Sequence, residues 1–267
     1  MSESQRQQVA AAFNRKAAVY DEFGVDHPNL DRIRGKVYDH ISRWHPAGSH
    51  LLELNAGTGL DATRLSARGY RIHATDLAPQ MVAAIQAKIE QSGLHDQLTA
   101  EQCDFNQLAT LRTGPFDGLY SNSGGLNCTA DLAPIIAQLP RLLKPGAIVT
   151  WVIMPRICPW ELALLAKDPR VATRRLRPGG VRAHVEGVHF QTWYHPAGRV
   201  IRAFGTRFEL VELEGISVVT PTADNKNFAQ RRPGLYQKLV QLDDWLSRRR
   251  PFNGWGDFYA LSMRFRG

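Results

Sequence analysis

The stretch ELNAGTG (residues 53–59) places two glycines, an asparagine and a carboxylate within seven residues. Glycines let the backbone approach a ligand closely, and the N-terminus of a following helix offers free N–H groups to a negative group. Asparagine tolerates a positive φ, so Asn55 can occupy a glycine position or donate from its amide. The stretch therefore predicts either a ligand-binding loop after a strand or a structural turn of the same shape.

Three acidic residues and one aromatic residue bear on which ligand this loop binds. GTGLDA (57–62) also fits the dinucleotide fingerprint G-x-G-x-x-A, and Asp76 could hold a ribose in either case. Glu53 could receive a cationic amine, whereas a pyrophosphate would gain nothing from a carboxylate there. Asp104 could accept from an adenine amine, and Phe105 could pack on the adenine ring. These side chains disfavour a nicotinamide dinucleotide.

Strands and helices alternate between about residues 50 and 155. Met81, Ile85 and Ile89 recur every four residues and predict a helix over 78–93. Such alternation implies an open, doubly wound parallel sheet, which binds ligands beyond the carboxyl ends of its strands. A second helix is expected over 131–146, and the expected strands are 50–54, 70–76, 97–105, 116–123 and 147–154.

The flanking segments have a different character. Two amphipathic helices precede the sheet, the second beginning at Pro28. Residues 169–183 are rich in Arg, Pro and Gly and predict a loop, and 185–195 have strand character.

Composition excludes several protein classes. The longest apolar run, AIVTWVIM, is far shorter than the ~20 residues of a membrane helix. The polar N-terminus lacks the layout of a signal peptide, and the three cysteines form no close pair. We therefore expect a cytoplasmic protein with no membrane span. No metal site is predicted, because His184, His189 and His195 lack the spacing of one.

The net charge of +8 is unevenly distributed. Residues 1–155 hold 14 Lys and Arg against 15 Asp and Glu, a net of −1, whereas residues 156–267 hold 19 against 10, a net of +9. A basic half can be a solvated face, or it can attract an acidic substrate, carrier, membrane surface or nucleic acid.

Five segments in order, LLELNAGTG, ATDLAPQM, CDFNQL, FDGLYSNSGGLN and LPRLLKPGAIV, resemble class I S-adenosylmethionine-dependent methyltransferases. FNRKAAVYDEF (13–23) resembles the N-terminal lid helix of the small-molecule, type 11-like branch. The resemblance implies an α/β, Rossmann-like, doubly wound sheet of seven strands. It also implies the strand order 3-2-1-4-5-7-6, an antiparallel last strand, N-terminal lid helices and an insertion after strand 5.

The expected organisation is one methyltransferase domain over residues 1–267. Within it we expect lid helices at 1–46, a cofactor-binding core at 47–155, a substrate-side insertion at 156–205 and a C-terminal strand–helix–strand unit at 206–267.

The resemblance assigns the cofactor S-adenosylmethionine, with S-adenosylhomocysteine as product. Glu53, Gly57 and Gly59 would shape the methionine pocket, and Asp76 would bind both ribose hydroxyls. The remaining implied contacts are Leu77, Met81, Asp104 and Phe105 at the adenine, Ser121 and Asn122 at the methionine end, Asn55 and Thr58 in the loop, and Phe13 and Tyr20 from the lid.

Asn55 departs from the glycine that is usual at its position. It resembles an ELN-x-GTG variant in a subset of these enzymes that also carries a GGLNC-like stretch, here residues 124–128. We expect Asn55 to have a glycine-like backbone beside the methionine end of the cofactor.

The methyl group of a sulfonium is already activated, so positioning alone can supply much of the catalysis and a general base is optional. The candidates for a base are His189 and His195, which flank FQTWY. Tyr20 and Asn127 are candidate hydrogen-bonding groups near the methyl.

The expected partner is a small-molecule methyl acceptor, including acidic or natural-product acceptors, methylated at oxygen or nitrogen. SNSGG (121–125) replaces the Asn/Asp-Pro-Pro-aromatic motif of many base methyltransferases, which disfavours nucleic acid as substrate. The alternatives left open are an RNA or protein methyltransferase, a basic partner-binding module on the same fold, and an NAD(P)-dependent oxidoreductase.

Overall fold

A computed structural model describes residues 1–267. A seven-stranded sheet with the order β3-β2-β1-β4-β5-β9-β8 forms the centre, and β6 and β7 pair separately as a hairpin. The strands are β1 His50–Leu54, β2 Arg71–Asp76, β3 Leu98–Gln102, β4 Phe116–Ser121, β5 Leu143–Ile153, β6 Val181–Val185, β7 Val188–Thr192, β8 Phe208–Ile216 and β9 Phe258–Phe265.

The strand order confirms the predicted fold class. The pairs β1–β2, β1–β4, β2–β3 and β4–β5 are parallel, and β9 is antiparallel to both β5 and β8. When the separate hairpin is left out of the count, β8 and β9 become the sixth and seventh strands, and the order is 3-2-1-4-5-7-6.

Helices cover the sheet on both faces. Leu52 and Leu54 of β1 belong to one buried cluster and Leu51 to the other, because successive side chains of a strand point to opposite faces. No helix has both the length and the apolarity to cross a bilayer. The helices are α1 Glu3–Lys16, α2 Pro28–Trp44, α3 Leu60–Ser66, α4 Pro79–Ser92, α5 Ala133–Ile136, α6 Pro159–Leu162, α7 Pro169–Thr173, α8 Ala197–Phe204, α9 Phe228–Arg231 and α10 Pro233–Leu246.

The long helix expected over 131–146 is wrong. The segment contains only α5 and a short 3-10 turn at Leu139–Arg141, and β5 already begins at Leu143. Prolines at 134, 140 and 145 explain the difference, because a proline lacks the N–H that a helix interior requires.

The loop expected over 169–183 is also wrong. Asp168 caps α7 by accepting from the backbone N–H groups of Arg170 and Val171, and β6 begins at Val181. The strand expected over 185–195 is present as the shorter β7, and it forms a hairpin with β6 because Glu186 and Gly187, with positive φ of 45° and 78°, turn the chain between them.

Candidate active site

A cavity of about 70 Å³, here called the loop cavity, lies at the carboxyl ends of the central parallel strands. The glycine loop reaches it at the end of β1, and α1 covers it from the outside. Its lining residues are Val9, Phe13, Tyr20, Asn55, Gly57, Asp76, Leu77, Cys103, Phe105, Asn122, Ser123, Gly125 and Cys128.

Asn55 has the left-handed backbone expected of it, with φ of 51°. Its Nδ2 donates to the hydroxyl of Ser121 at the end of β4. A Cβ built on Gly125 would lie 2.6 Å from Cγ of Asn55, closer than real side chains approach. The asparagine therefore fits only because position 125 has no side chain, which gives a physical reason for ELN-x-GTG and GGLNC in the same chain.

Asp76 ends β2 with its carboxylate in the loop cavity. Oδ2 accepts from the N–H of Gly57 at 2.9 Å, and Oδ1 accepts from the N–H of Ala78 at 2.9 Å. Burial raises the pKa of the Asp76 carboxyl to about 6, although these backbone donors act to lower it. Each carboxylate oxygen keeps a lone pair for a further donor.

Two buried oxygen atoms at this loop have no hydrogen-bond partner in the protein: Oε2 of Glu53 and Oδ1 of Asn55. Glu53 is only 1% exposed, and burial and the charge of Asp61 raise its pKa well above the usual range. Buried polar atoms without partners are costly, so the pair is suited to a ligand that brings a donor or a cation. An amine-bearing cofactor fits this requirement.

Thr58 and Gly59, the last two residues of the glycine loop, contact residues outside the loop. The Thr58 hydroxyl donates to the Asp21 carboxylate at 2.6 Å. Gly59 begins α3 with φ of 77°, and a Cβ there would lie 2.9 Å from the Ile85 side chain. Neither Thr58 nor Gly59 lines the loop cavity, so they shape the loop rather than its surface.

Glu53 and three further predicted contacts also lie off the cavity surface. Met81 is fully buried in α4. Asp104 accepts from the backbone N–H of Asn106 at 2.8 Å, and Ser121 is the acceptor for Asn55. The structure thus brings Asp76, Leu77 and Phe105 to the cavity and places these three behind it.

A second cavity, of about 290 Å³ and here called the helix cavity, lies against α2. It shares Tyr20, Asn122 and Ser123 with the loop cavity. Arg34 of α2 lines it, is 8% exposed, and has no hydrogen-bond partner for Nε, which lies 4.0 Å from the Asp61 carboxylate. Sequence reasoning missed this arginine.

A third and larger cavity, of about 750 Å³ and here called the arginine cleft, lies between the glycine-rich turn after β4 and the insertion. It shares Phe13, Ser123, Gly125 and Cys128 with the loop cavity. Ser123, with φ of 55°, is the one residue that lines all three cavities. A non-glycine residue held at positive φ is strained and is often found at a functional site.

Comparison with known proteins agrees with this geometry. Residues 51–146 match a family model described as a methyltransferase domain. The chain is 31% identical to malonyl-[acyl-carrier protein] O-methyltransferase of Serratia marcescens, over 54% of this chain and 51% of that protein. It is 23% identical to the biotin biosynthesis bifunctional protein BioHC of Teredinibacter turnerae, over 97% of this chain and 48% of that protein. The chain spans about half the length of these two curated relatives.

A solved DhpI–SAM–HEP complex has the same fold, with a TM-score of 0.63 at 16% identity over 99% of both chains. The domain match over residues 51–146 and the shared fold support a class I S-adenosylmethionine-dependent methyltransferase. S-adenosylmethionine is the cofactor of this class. The unpaired oxygens and the Asp76 carboxylate are compatible with the amine and the ribose of that cofactor.

Of the four candidate catalytic residues predicted from the sequence, only Tyr20 lines one of these three cavities. His195 is buried, with Nε2 bonded to the carbonyl of Thr129 at 3.0 Å, and burial lowers its pKa to about 4. His189 lies exposed on β7 beside His184, with 4.6 Å between the ring centroids. The structure brings neither histidine to the cavity surface.

The amide nitrogen and oxygen of Asn127 both make hydrogen bonds to the backbone, which join the turn after β4 to the segments at Met154 and Trp193. Its Nδ2 donates to the carbonyls of Met154 and Trp193, and its Oδ1 accepts from the N–H of Met154 at 2.9 Å. Tyr20 lies between the loop and helix cavities, and burial and the Asp61 carboxylate raise the pKa of its phenol to about 12. At neutral pH Tyr20 is therefore a hydrogen-bond donor rather than a base.

One cluster of side chains has the composition of a metal site. His40, Glu212 and Glu214 bring ligand atoms within 4.8 Å of one another. Arg43 pairs with Glu212 at 3.1 Å and with Glu214 at 2.5 Å, and Lys36 also reaches Glu214. These cations neutralise the carboxylates, so the three residues form part of an ion-pair network.

Proposed function

We propose that this protein transfers a methyl group from S-adenosylmethionine to an oxygen or nitrogen of a small-molecule acceptor by in-line displacement. The observation that carries the proposal is the loop cavity, which is lined by the Asp76 carboxylate and by Asn55, whose buried Oδ1 has no partner in the protein. The second unpartnered oxygen, Oε2 of Glu53, lies two residues earlier in the same loop, and the methyltransferase-domain match over residues 51–146 agrees with the proposal.

The proposed cofactor contacts combine the positions of the side chains with the roles that the family resemblance implies. Asp76 would accept from the ribose hydroxyls, with Leu77 and Phe105 against the adenine. Glu53 and Asn55 would receive the methionine amine. Arg34, which sequence reasoning missed, would receive the methionine carboxylate, because it is a buried cation beside Tyr20 and Asn122 whose Nε makes no hydrogen bond in the protein.

The loop cavity alone is smaller than the roughly 300–1,000 Å³ of typical ligand sites. Val9 and Phe13 of α1 form its outer wall. We therefore expect α1 to move outward or repack when the cofactor binds. This movement would fit the role of a lid.

In this proposal, catalysis depends on how the acceptor is positioned relative to the methyl group. When bound, S-adenosylmethionine supplies an activated methyl group, so alignment of the acceptor provides most of the gain. Ser123 lies where the three cavities meet, and Tyr20 presents a protonated phenol beside it. We infer that these two residues orient the acceptor and exclude water.

Calorimetric titration with S-adenosylhomocysteine tests the cofactor site. We expect binding to the wild type, and we expect Asp76→Ala to weaken it by about 1.5–3 kcal/mol, the contribution of hydrogen bonds to a charged group. Leu77→Met, a volume-conserving change at the same cavity, is the control and should bind nearly as well. Absence of binding to the wild type would refute the proposal, and an unchanged affinity in Asp76→Ala would refute the role of Asp76.

A further inference from the structure

We propose that the arginine cleft binds an anionic group of the methyl acceptor, a carboxylate or a phosphate, while the methylated atom lies at Ser123. This inference rests on the proposed function and adds the substrate class. It assigns a role to arginines that the cofactor does not use.

The first argument is the charge of the cleft. Its wall contains four arginines, Arg170, Arg174, Arg177 and Arg182, and one carboxylate, Asp224, so the net charge of the lining is +3. Cations gathered around a concave surface raise the local concentration of an anionic ligand. The wall is thus suited to an acidic acceptor.

The second argument is that most of these cations have no partner in the protein. Arg174 pairs with Glu161 at 2.7 Å, but Arg170, Arg177 and Arg182 make no salt bridge and no side-chain hydrogen bond. Their guanidinium groups, which match the geometry of carboxylate and phosphate, remain available to a ligand.

The third argument is continuity with the cofactor site. The cleft joins the loop cavity along Phe13, Ser123, Gly125 and Cys128. Its volume of about 750 Å³ is in the range of small-molecule sites. An acceptor anchored among the arginines can therefore extend to Ser123, where the methyl group would arrive.

The cleft is also anchored to the core. Arg175 is buried and donates to Glu161 and to the Asp257 carboxylate at 2.7 Å each. Glu161 in turn receives Arg174. This buried network fixes the segment that carries Arg174 and Arg177, so the cleft wall is positioned before a ligand binds.

The test uses the full chain saturated with S-adenosylhomocysteine and three probes of similar size: phenyl phosphate, benzoate and the neutral benzyl alcohol. The variant is Arg170→Gln/Arg177→Gln/Arg182→Gln. The matched control is Arg112→Gln/Arg199→Gln/Arg202→Gln, which removes the same charge from exposed arginines outside the cleft.

We expect an anionic probe to bind the wild type and the control better than benzyl alcohol, and the cleft variant to lose about tenfold or more of that affinity. Preference for phenyl phosphate or for benzoate distinguishes the two sources of the anion. Equal losses in the cleft variant and the control, or no binding of either anion at millimolar concentration, would overturn the inference.

The affinity for S-adenosylhomocysteine separates the two proposals. We expect it to be unchanged in both triple variants. If the wild type bound no S-adenosylhomocysteine, the methyl-transfer proposal would fail, whereas the anion comparison can still be made without it.

Discussion

Burial at the end of β2 raises the pKa of the Asp76 carboxyl to about 6, so this group is mostly ionised only above about pH 6. Hydroxyl donors of a ribose favour the ionised carboxylate, so binding should lower this pKa and the affinity should fall as the pH drops through 6. We expect a loss of S-adenosylhomocysteine affinity between about pH 7 and pH 5, measured by calorimetry. In Asp76→Asn this part of the pH dependence should disappear; its persistence would assign the titration to another group.

Asn55 and Gly125 should behave as a coupled pair. Gly125→Ala places a Cβ 2.6 Å from Asn55 and should displace the asparagine, at a cost of about 1–3 kcal/mol in cofactor affinity. In Asn55→Gly/Gly125→Ala the steric conflict is removed. In a double-mutant cycle on S-adenosylhomocysteine affinity, we expect the double variant to lose less binding free energy than the two single variants together, and additive losses would contradict this packing argument.

At the scale of single residues the sequence was most informative for the glycine loop and less informative for the other residues of the site. The backbone of Asn55 could be predicted because few residues tolerate positive φ. Arg34 could also have been found, since it falls four residues after Leu30, on the apolar stripe of α2. Ser123 gave no such signal, because its position depends on the meeting of three separate surfaces.

A buried glutamine, together with the surface ion pair between Lys16 and Glu186, attaches helix α1 to the insertion. Gln5, 7% exposed, donates from Nε2 to the carbonyls of Gln191 and Cys128 and accepts from the N–H of Gln191 at 3.0 Å. The Gln5 side chain therefore connects α1 to β7 and to the turn after β4. This attachment was not predictable, because it joins residues 186 positions apart.

We expect Gln5→Ala to loosen α1, because the change leaves the backbone of Gln191 without its partners. The α1 amides should exchange hydrogen faster than in the wild type, and S-adenosylhomocysteine should slow the exchange in both. The neighbouring exposed Gln8 provides the control, Gln8→Ala. Equal exchange in the two variants would show that Gln5 does not hold the lid.

Elements with strong periodicity were predicted well and short elements were not. The apolar core strands and α4 follow from burial patterns that a sequence displays directly. The proline-interrupted segment before β5 and the hairpin β6–β7 depend on single residues, such as Pro140 and Gly187. Their effect on the backbone outweighs the hydrophobic pattern around them.

At the scale of the whole molecule, the basic second half divides into cations with different roles. In the sequence Arg174, Arg175 and Arg177 form one cluster, but Arg175 is buried in an ion pair, Arg174 is partly paired and Arg177 is free in the cleft. Composition gives the sum of these charges, whereas only the fold assigns each one to stability or to a ligand.

The buried ion pairs of Arg175 with Glu161 and Asp257 should contribute strongly to the stability of the fold, because they join the insertion to the start of β9. Arg175→Met leaves the buried carboxylate of Asp257 without its cation, and we expect the free energy of unfolding in urea to fall by about 3–5 kcal/mol. Arg266→Met, which breaks only the exposed pair with Glu209, should cost less than about 1 kcal/mol. Similar losses in the two variants would show that the buried network is not decisive.

The close packing of Asn55 against Gly125 also restricts the order in which the two positions can change during evolution. A lineage with glycine at position 55 tolerates a side chain at 125, but it can acquire asparagine only after position 125 has become glycine. Among related sequences, asparagine at 55 with alanine or a larger residue at 125 should therefore be almost absent, whereas glycine at both positions should be common. The glycine at position 125 would then be at least as old as the asparagine at position 55 in every lineage that has both.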